Sequence, residues 1–307
     1  MAVGLRTSSG NALSPARCPS AGFFVIRKWF LDDLVTGFAL MLLEEPTQSA
    51  VQQPTDVTAS KVPAATIAFW TIKILTTGMG EASSDFLLHH FKKRAAAVGV
   101  TALVFIASLA VQVLARRFHA VRYWTVVILV AIFGTMVADI IDFIFHMPLS
   151  WSTPVFAVLV GVVLLAWWKV EGTLSIHSIY SRRREAFYWT TVFLTFVLGT
   201  AAGDWTASSL HLGYLGSGFL FLFLIALPLI GFRVFDLNGV ACFWTAYVLT
   251  RPLGASFADW MSEAHSRGGL GLGPAKVSLI WSIAIVVMVA ILALSQERTS
   301  AIDDVQL

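Results

Sequence analysis

Residues 69–86 read FWTIKILTTGMGEASSDF, and the same pattern returns three times: YWTVVILVAIFGTMVADI at 123–140, YWTTVFLTFVLGTAAGDW at 188–205 and FWTAYVLTRPLGASFADW at 243–260. Each copy has an aromatic residue, Trp and Thr in succession, then Gly ten residues and Asp fifteen residues after the Trp. The repeated positions are Trp70, Trp124, Trp189 and Trp244; Gly80, Gly134, Gly199 and Gly254; and Asp85, Asp139, Asp204 and Asp259. Four ungapped matches of this length mark an internal repeat, in which one structural unit is used four times.

Composition sets the medium in which that unit works. Of 307 residues, 57% are hydrophobic and 13% charged, with a mean hydropathy of +0.77. This is too little polar surface for a soluble protein of the same size. Eight segments are long and apolar enough to be read as crossing about 30 Å of hydrocarbon: 63–88, 95–115, 123–146, 152–169, 187–210, 213–232, 240–262 and 276–295. The Trp residues are 54, 65 and 55 positions apart, and each interval holds two such segments. The unit is therefore a helical hairpin, and an even number of crossings gives all four copies the same orientation. The sequence predicts an all-α polytopic membrane protein of eight transmembrane helices in four tandem hairpins.

The membrane domain is expected over 61–296, with repeats at 61–115, 120–169, 185–232 and 240–296, followed by a tail at 297–307. Residues 1–60, rich in Ser, Ala, Pro, Thr and Gln, read as a disordered extension. Met41 opens a polar leader, so residues 1–40 are also read as sequence upstream of an alternative start. The formal net charge of +3 is small and the basic residues fall in short clusters between apolar segments. That pattern speaks for orientation in a bilayer, not for nucleic acid. Ten Lys and Arg lie in the connections on the face of the N-terminus and five on the opposite face, which predicts both termini in the cytoplasm. Cys18 and Cys242 are too few for a disulfide framework or a cysteine metal site.

The repeated stretches, FWTIKILTTGMGEASSDF most specifically, resemble a family of bacterial membrane-anchored proteins of unknown function. Its members carry four tandem repeats, each with two transmembrane segments and a Trp. The resemblance spans about residues 61–296. It implies a multi-pass protein of the bacterial cytoplasmic membrane and supplies no reaction or substrate.

The repeated residues divide by chemistry. Each Trp, beside Phe or Tyr and in two copies close after basic residues, is expected to anchor its helix at the membrane interface. Each Gly is followed four residues later by Ser84, Ala138, Gly203 or Ala258, a small-xxx-small face that lets helix backbones approach closely. The first helices of the four hairpins are thus expected to pack around a common axis. Each Asp stands roughly 22 Å beyond its Trp along a helix, still inside the hydrocarbon, where a carboxylate costs about 2.5–3.5 kcal/mol unless it faces a partner, water or a cation.

Charge counting sharpens the point. The four odd segments contain the acids Glu81, Asp85, Asp139, Asp142, Asp204, Asp259 and Glu263 but only the bases Lys73 and Arg251. Lys73, Thr77, Glu81, Asp85 and His89 follow one another at intervals of four, along one helix face. Arg251 is expected to pair with an acid of another copy, Glu81 by depth. The remaining acids must be protonated or balanced by a cation. His89, His146, His211 and His265 follow the four Asp residues within seven positions, and are candidate ligands should the cation be a transition metal.

The expected function is transport of a cation, a divalent metal being one candidate, along a path lined by the four Asp residues with Glu81, Lys73 and Arg251. The competing expectation is a structural or sensory membrane protein in which Gly and Asp serve only helix packing. An enzyme is not expected, since HExxH and GxSxG motifs and a phosphate-binding Gly loop are absent. No cofactor is implied, and the expected partners are the lipid bilayer and the cation. Oligomeric state is not legible.

Overall fold

A computed structural model describes residues 60–115, 117–145 and 147–305. The predicted extension, apart from Ser60, lies outside the described residues, as do Arg116 and His146. Every long element among the described residues is a helix. Two helices come from each copy: α1 (Ile67–His90) and α2 (Arg94–Leu114), α3 (Ala120–Phe145) and α4 (Leu149–Glu171), α5 (Arg182–Asp204) and α6 (Gly213–Val234), and α7 (Gly239–Ser262) and α8 (Pro274–Val305).

Local chemistry sets several ends. Thr66 accepts a hydrogen bond from the Phe69 amide, Ser181 from that of Arg184, and Asn238 from those of Val240 and Ala241, each satisfying donors that a helix start leaves free. Helix α4 stops at Gly172, whose φ of +69° is the left-handed conformation that glycine adopts without steric cost. Beyond Asp204, α5 widens into one π-type turn, Trp205–Ser209.

The odd helices form a closed inner ring in which α1 packs on α3 and α7, and α5 packs on α3 and α7. The even helices lie outside it, each set mainly against the first helix of the following copy: α2 on α3, α4 on α5, α6 on α7, and α8 back on α1. A hairpin therefore buries its second helix on its neighbour, and the fourth copy closes on the first. This cyclic order explains how a tandem repeat, which has two ends in sequence, ends as a ring with none.

Among the described residues six helical segments are long and apolar enough to cross a membrane: Arg94–Leu114, Ala120–Asp142, Leu149–Glu171, Arg182–Ser209, Gly213–Val234 and Pro274–Leu294. Eight were expected. The two that fall short by composition are α1, with Lys73, Glu81 and Asp85, and α7, with Arg251 and Asp259. Both have 24 residues, and their charges turn inward, so these helices give up apolarity and not length. The outer helices behave oppositely. Leu103 on α2, Phe223 on α6 and Val286 on α8 are among many large apolar side chains left exposed, as suits a multi-pass protein whose outer surface meets lipid.

Candidate functional site: a polar axis inside the ring

Counting from the repeated Trp, the residues at positions 0, 3, 7, 11 and 15 of each odd helix follow one step of three and three steps of four and so share one face. Stacked along the ring, these positions make five layers.

The first layer is aromatic. Within each copy the aromatic residue and Trp meet edge to face, with centroids 5.3, 5.1, 5.1 and 5.4 Å apart. Between copies Phe69 meets Trp124 at 5.8 Å, Tyr123 meets Trp189 at 5.7 Å, Tyr188 meets Trp244 at 6.2 Å and Phe243 meets Trp70 at 5.5 Å. Eight rings thus form an unbroken circle, at separations where aromatic pairs attract beyond simple burial. The four Trp residues, expected to anchor the helices at a lipid interface, are instead buried inside the bundle, the most open being 8% exposed. The reason is the ring itself: the neighbouring copy supplies a partner face for each indole. Trp244 also donates through Nε1 to the Leu174 carbonyl at 3.0 Å.

The next layer contains Lys73, Val127, Val192 and Tyr247. Lys73 is 1% exposed. Its Nζ stands 4.1 Å from the ring centres of both Phe196 and Tyr247 and makes no hydrogen bond among the described residues. Nearby, the Tyr123 and Tyr188 hydroxyls are bonded at 2.5 Å.

The third and fourth layers interlock through Arg251, which is wholly buried. One terminal nitrogen, Nη2, has three acceptors within reach of its two hydrogens, Glu81 Oε2 at 2.6 Å, Thr200 Oγ1 at 2.7 Å and Thr135 Oγ1; the other, Nη1, donates to the Thr77 carbonyl at 3.3 Å. Glu81, Thr135 and Thr200 are the residues immediately after the repeated Gly in copies one to three. The fourth copy has Ala255 there and contributes Arg251 from one turn earlier. One guanidinium therefore touches all three other inner helices and stands on the ring axis. The pair expected between Arg251 and Glu81 is present. The two Thr acceptors were missed, although their register with Glu81 was visible in the repeat.

The repeated Gly residues lie where consecutive copies cross. A Cβ at Gly80 would stand 2.6 Å from that of Ala131, at Gly134 2.7 Å from that of Phe196, at Gly199 2.2 Å from Arg251 Cγ, and at Gly254 1.8 Å from Thr77 Oγ1. Each glycine thus meets the position-seven residue of the next copy, and the fourth meets that of the first. Such approach leaves no room for any side chain.

The last layer is the four Asp residues. Asp85, Asp139, Asp204 and Asp259 occupy this layer, one from each inner helix, and among the described residues none forms a salt bridge. Ser84 donates to Asp139 Oδ2 at 3.2 Å. Asp139 and Asp204, with Asp142, Ser152 and Thr200, line a pocket of about 30 Å³ between α3, α4 and α5, room for roughly one water molecule. Thr200 joins this pocket to Arg251.

The three candidate histidines among the described residues, His89, His211 and His265, do not enter this arrangement. His89 is exposed and meets its own helix at the Asp85 carbonyl, His211 is exposed just past the π turn, and His265 binds the Gly269 carbonyl in a short 3-10 turn. They follow the helix ends while the Asp residues turn inward. Among the described residues no three His, Cys, Asp or Glu side chains come together to hold a metal ion.

The Repeat of Unknown Function (DUF347) matches the chain four times, at residues 68–118, 122–173, 187–234 and 242–298. The chain belongs to this family. Its four matches correspond to the four hairpins, so the sequence repeat and the structural unit coincide. No curated protein and no solved structure matches the chain.

Proposed function

We propose that this DUF347 protein is a cation transporter of the bacterial cytoplasmic membrane, with all eight helices spanning the bilayer and the path running along the ring axis. The observation that carries the reading is the layer of four Asp residues, equivalent in the repeat, gathered at one end of the axis and lacking salt bridges among the described residues. Carboxylates held together in a low-dielectric setting are costly unless a proton or a cation neutralises them. The charge bias of the loops supports an aromatic end facing the cytoplasm, with both termini on that side, and an Asp end facing outward.

In this reading an incoming cation is drawn to the Asp layer and to the pocket beside Thr200. Further passage is closed by the Arg251–Glu81 pair, then by Lys73, then by the aromatic circle. A cation that moves on from the Asp layer and neutralises Glu81 removes the partner of Arg251, so passage beyond that layer is coupled to opening of the plug. The candidate divalent metals would be cargo, because the described residues offer no preformed metal cage.

The bonding of Arg251 to all three other inner helices favours a second reading, in which the polar axis only fixes helix packing. Uptake of Mn, Zn, Fe, Co and protons into proteoliposomes distinguishes the two. For one of these ions the wild type shows flux that Asp204→Asn and Asp139→Asn reduce at least about tenfold, a loss corresponding to about 1.4 kcal/mol in the barrier, with folded yield unchanged. Absence of flux for every ion, with variants that match the wild type, leaves the packing role.

A further inference from the structure

Among the described residues Lys73 is the buried base of the axis that Glu81 does not hold. Its helix, α1, lies diagonally across the ring from α5, so a Lys73 side chain that reaches Phe196 on α5 has crossed to the axis. There Nζ stands 4.1 Å from the centre of the Phe196 ring and 4.1 Å from that of Tyr247. It has no hydrogen-bond acceptor among the described residues, and the charged group that shares the Phe196 ring with it is another base, Arg251, whose Cζ is 5.3 Å from the ring centre. Two aromatic faces are what the surroundings offer a positive charge at this point, and the electron-rich face of an aromatic ring attracts ammonium ions.

We infer that Phe196 and Tyr247 form an ammonium-binding site on the axis, and that Lys73 is its tethered occupant. The ligand class is a primary alkylammonium ion. In the transport reading, on which this use of the site rests, the built-in ammonium holds the inner part of the path against free cations. A permeating ion must then share the ring faces with Lys73 or displace it. The Phe196–Tyr247 pair is thus a control point on the path distinct from the Asp layer.

The test is binding, so it stands apart from whether the protein carries anything. Lys73→Ala removes Cγ, Cδ, Cε and Nζ, the heavy atoms of n-propylammonium. Thermal unfolding of the purified variant is followed with n-propylammonium chloride, n-propanol or sodium chloride at equal millimolar concentrations. The amine raises the Tm of Lys73→Ala in a concentration-dependent way, since a ligand that binds only the folded state stabilises it, while the alcohol and the salt do not and the wild type is unmoved. Equal stabilisation by n-propanol would show a merely apolar hole and overturn the inference, as would no response to the amine in a folded variant. A second pair of variants keeps the inference exposed should Lys73→Ala not fold. Tyr247→Phe retains the ring face and unfolds with the wild type, whereas Tyr247→Leu unfolds at lower temperature; equal losses in the two contradict an ammonium held by ring faces.

Discussion

Arg251→Met lowers the unfolding free energy of the folded protein by about 3–5 kcal/mol, the range expected when one partner of a buried ion pair is removed and the other is left behind. The stranded partner is Glu81, whose side chain is 6% exposed. Thr135 and Thr200 lose their shared donor in the same substitution, and the Thr77 carbonyl loses one. A salt bridge at the surface would show a far smaller effect because solvent screens it. The double variant Arg251→Met with Glu81→Gln recovers most of the loss, since Gln keeps a polar side chain and removes the uncompensated charge. Unfolding in mixed micelles at graded denaturant measures all four corners of the cycle. If the two single substitutions simply added, Arg251 and Glu81 would not be coupled and the axial plug would be misassigned.

The second large effect is expected at the crossing of the fourth copy with the first. Gly254→Ala places a Cβ 1.8 Å from Thr77 Oγ1 and 2.9 Å from the Gly78 amide nitrogen. A hydroxyl could rotate away, but the backbone of α1 cannot, so α1 and α7 must separate. Overpacking of this kind costs about 1–3 kcal/mol. The separation also moves the Thr77 carbonyl away from Arg251, so the substitution disturbs the plug as well as the packing. Gly99→Ala on α2 and Gly161→Ala on α4 provide the contrast, because a Cβ at either meets nothing within 4 Å. Those two leave stability unchanged or raise it by up to about 1 kcal/mol, the helix preference of Ala over Gly. The same micelle unfolding assay reads the difference; a neutral Gly254→Ala would mean that α1 and α7 are not in contact at this level.

Much of this arrangement is visible in the chain because the repeat is ungapped. The recurrence of Trp, Gly and Asp defines four hairpins, and the depth of Arg251 in its helix selects Glu81 as its partner. What periodicity does not carry is the handing of each second helix to the next copy. An outer helix such as α4 is apolar on most of its surface, and nothing in its composition says whether it lies on α3 or α5. The Trp residues mislead for a related reason. An indole beside basic residues reads as interfacial when one helix is considered alone, and only the neighbouring copy's Phe or Tyr turns it inward. Lys73 is likewise ambiguous in sequence, four residues from Thr77 and eight from Glu81. Its aromatic surroundings come from Phe196 and Tyr247, both well over a hundred residues away. His89, His211 and His265 show the converse error, since nearness in sequence to an inward Asp places a side chain at the helix end and not on the axis.

Closure of the fourth copy on the first underlies every layer of the axis, and one contact reports it directly. Ser83 on α1 and Ser278 on α8 have their hydroxyl oxygens 2.6 Å apart, a separation compatible with the short span of a disulfide. In a background with Cys18 and Cys242 replaced by Ser, the pair Ser83→Cys and Ser278→Cys is oxidised in membranes, and the bond is located by mass spectrometry after proteolysis. A ring closed within one chain predicts an intramolecular crosslink in nearly all molecules, and none when Ser278→Cys is paired instead with Ser217→Cys on α6. A crosslink found only between two chains, or two cysteines that stay reduced and freely alkylated, would contradict the closed ring.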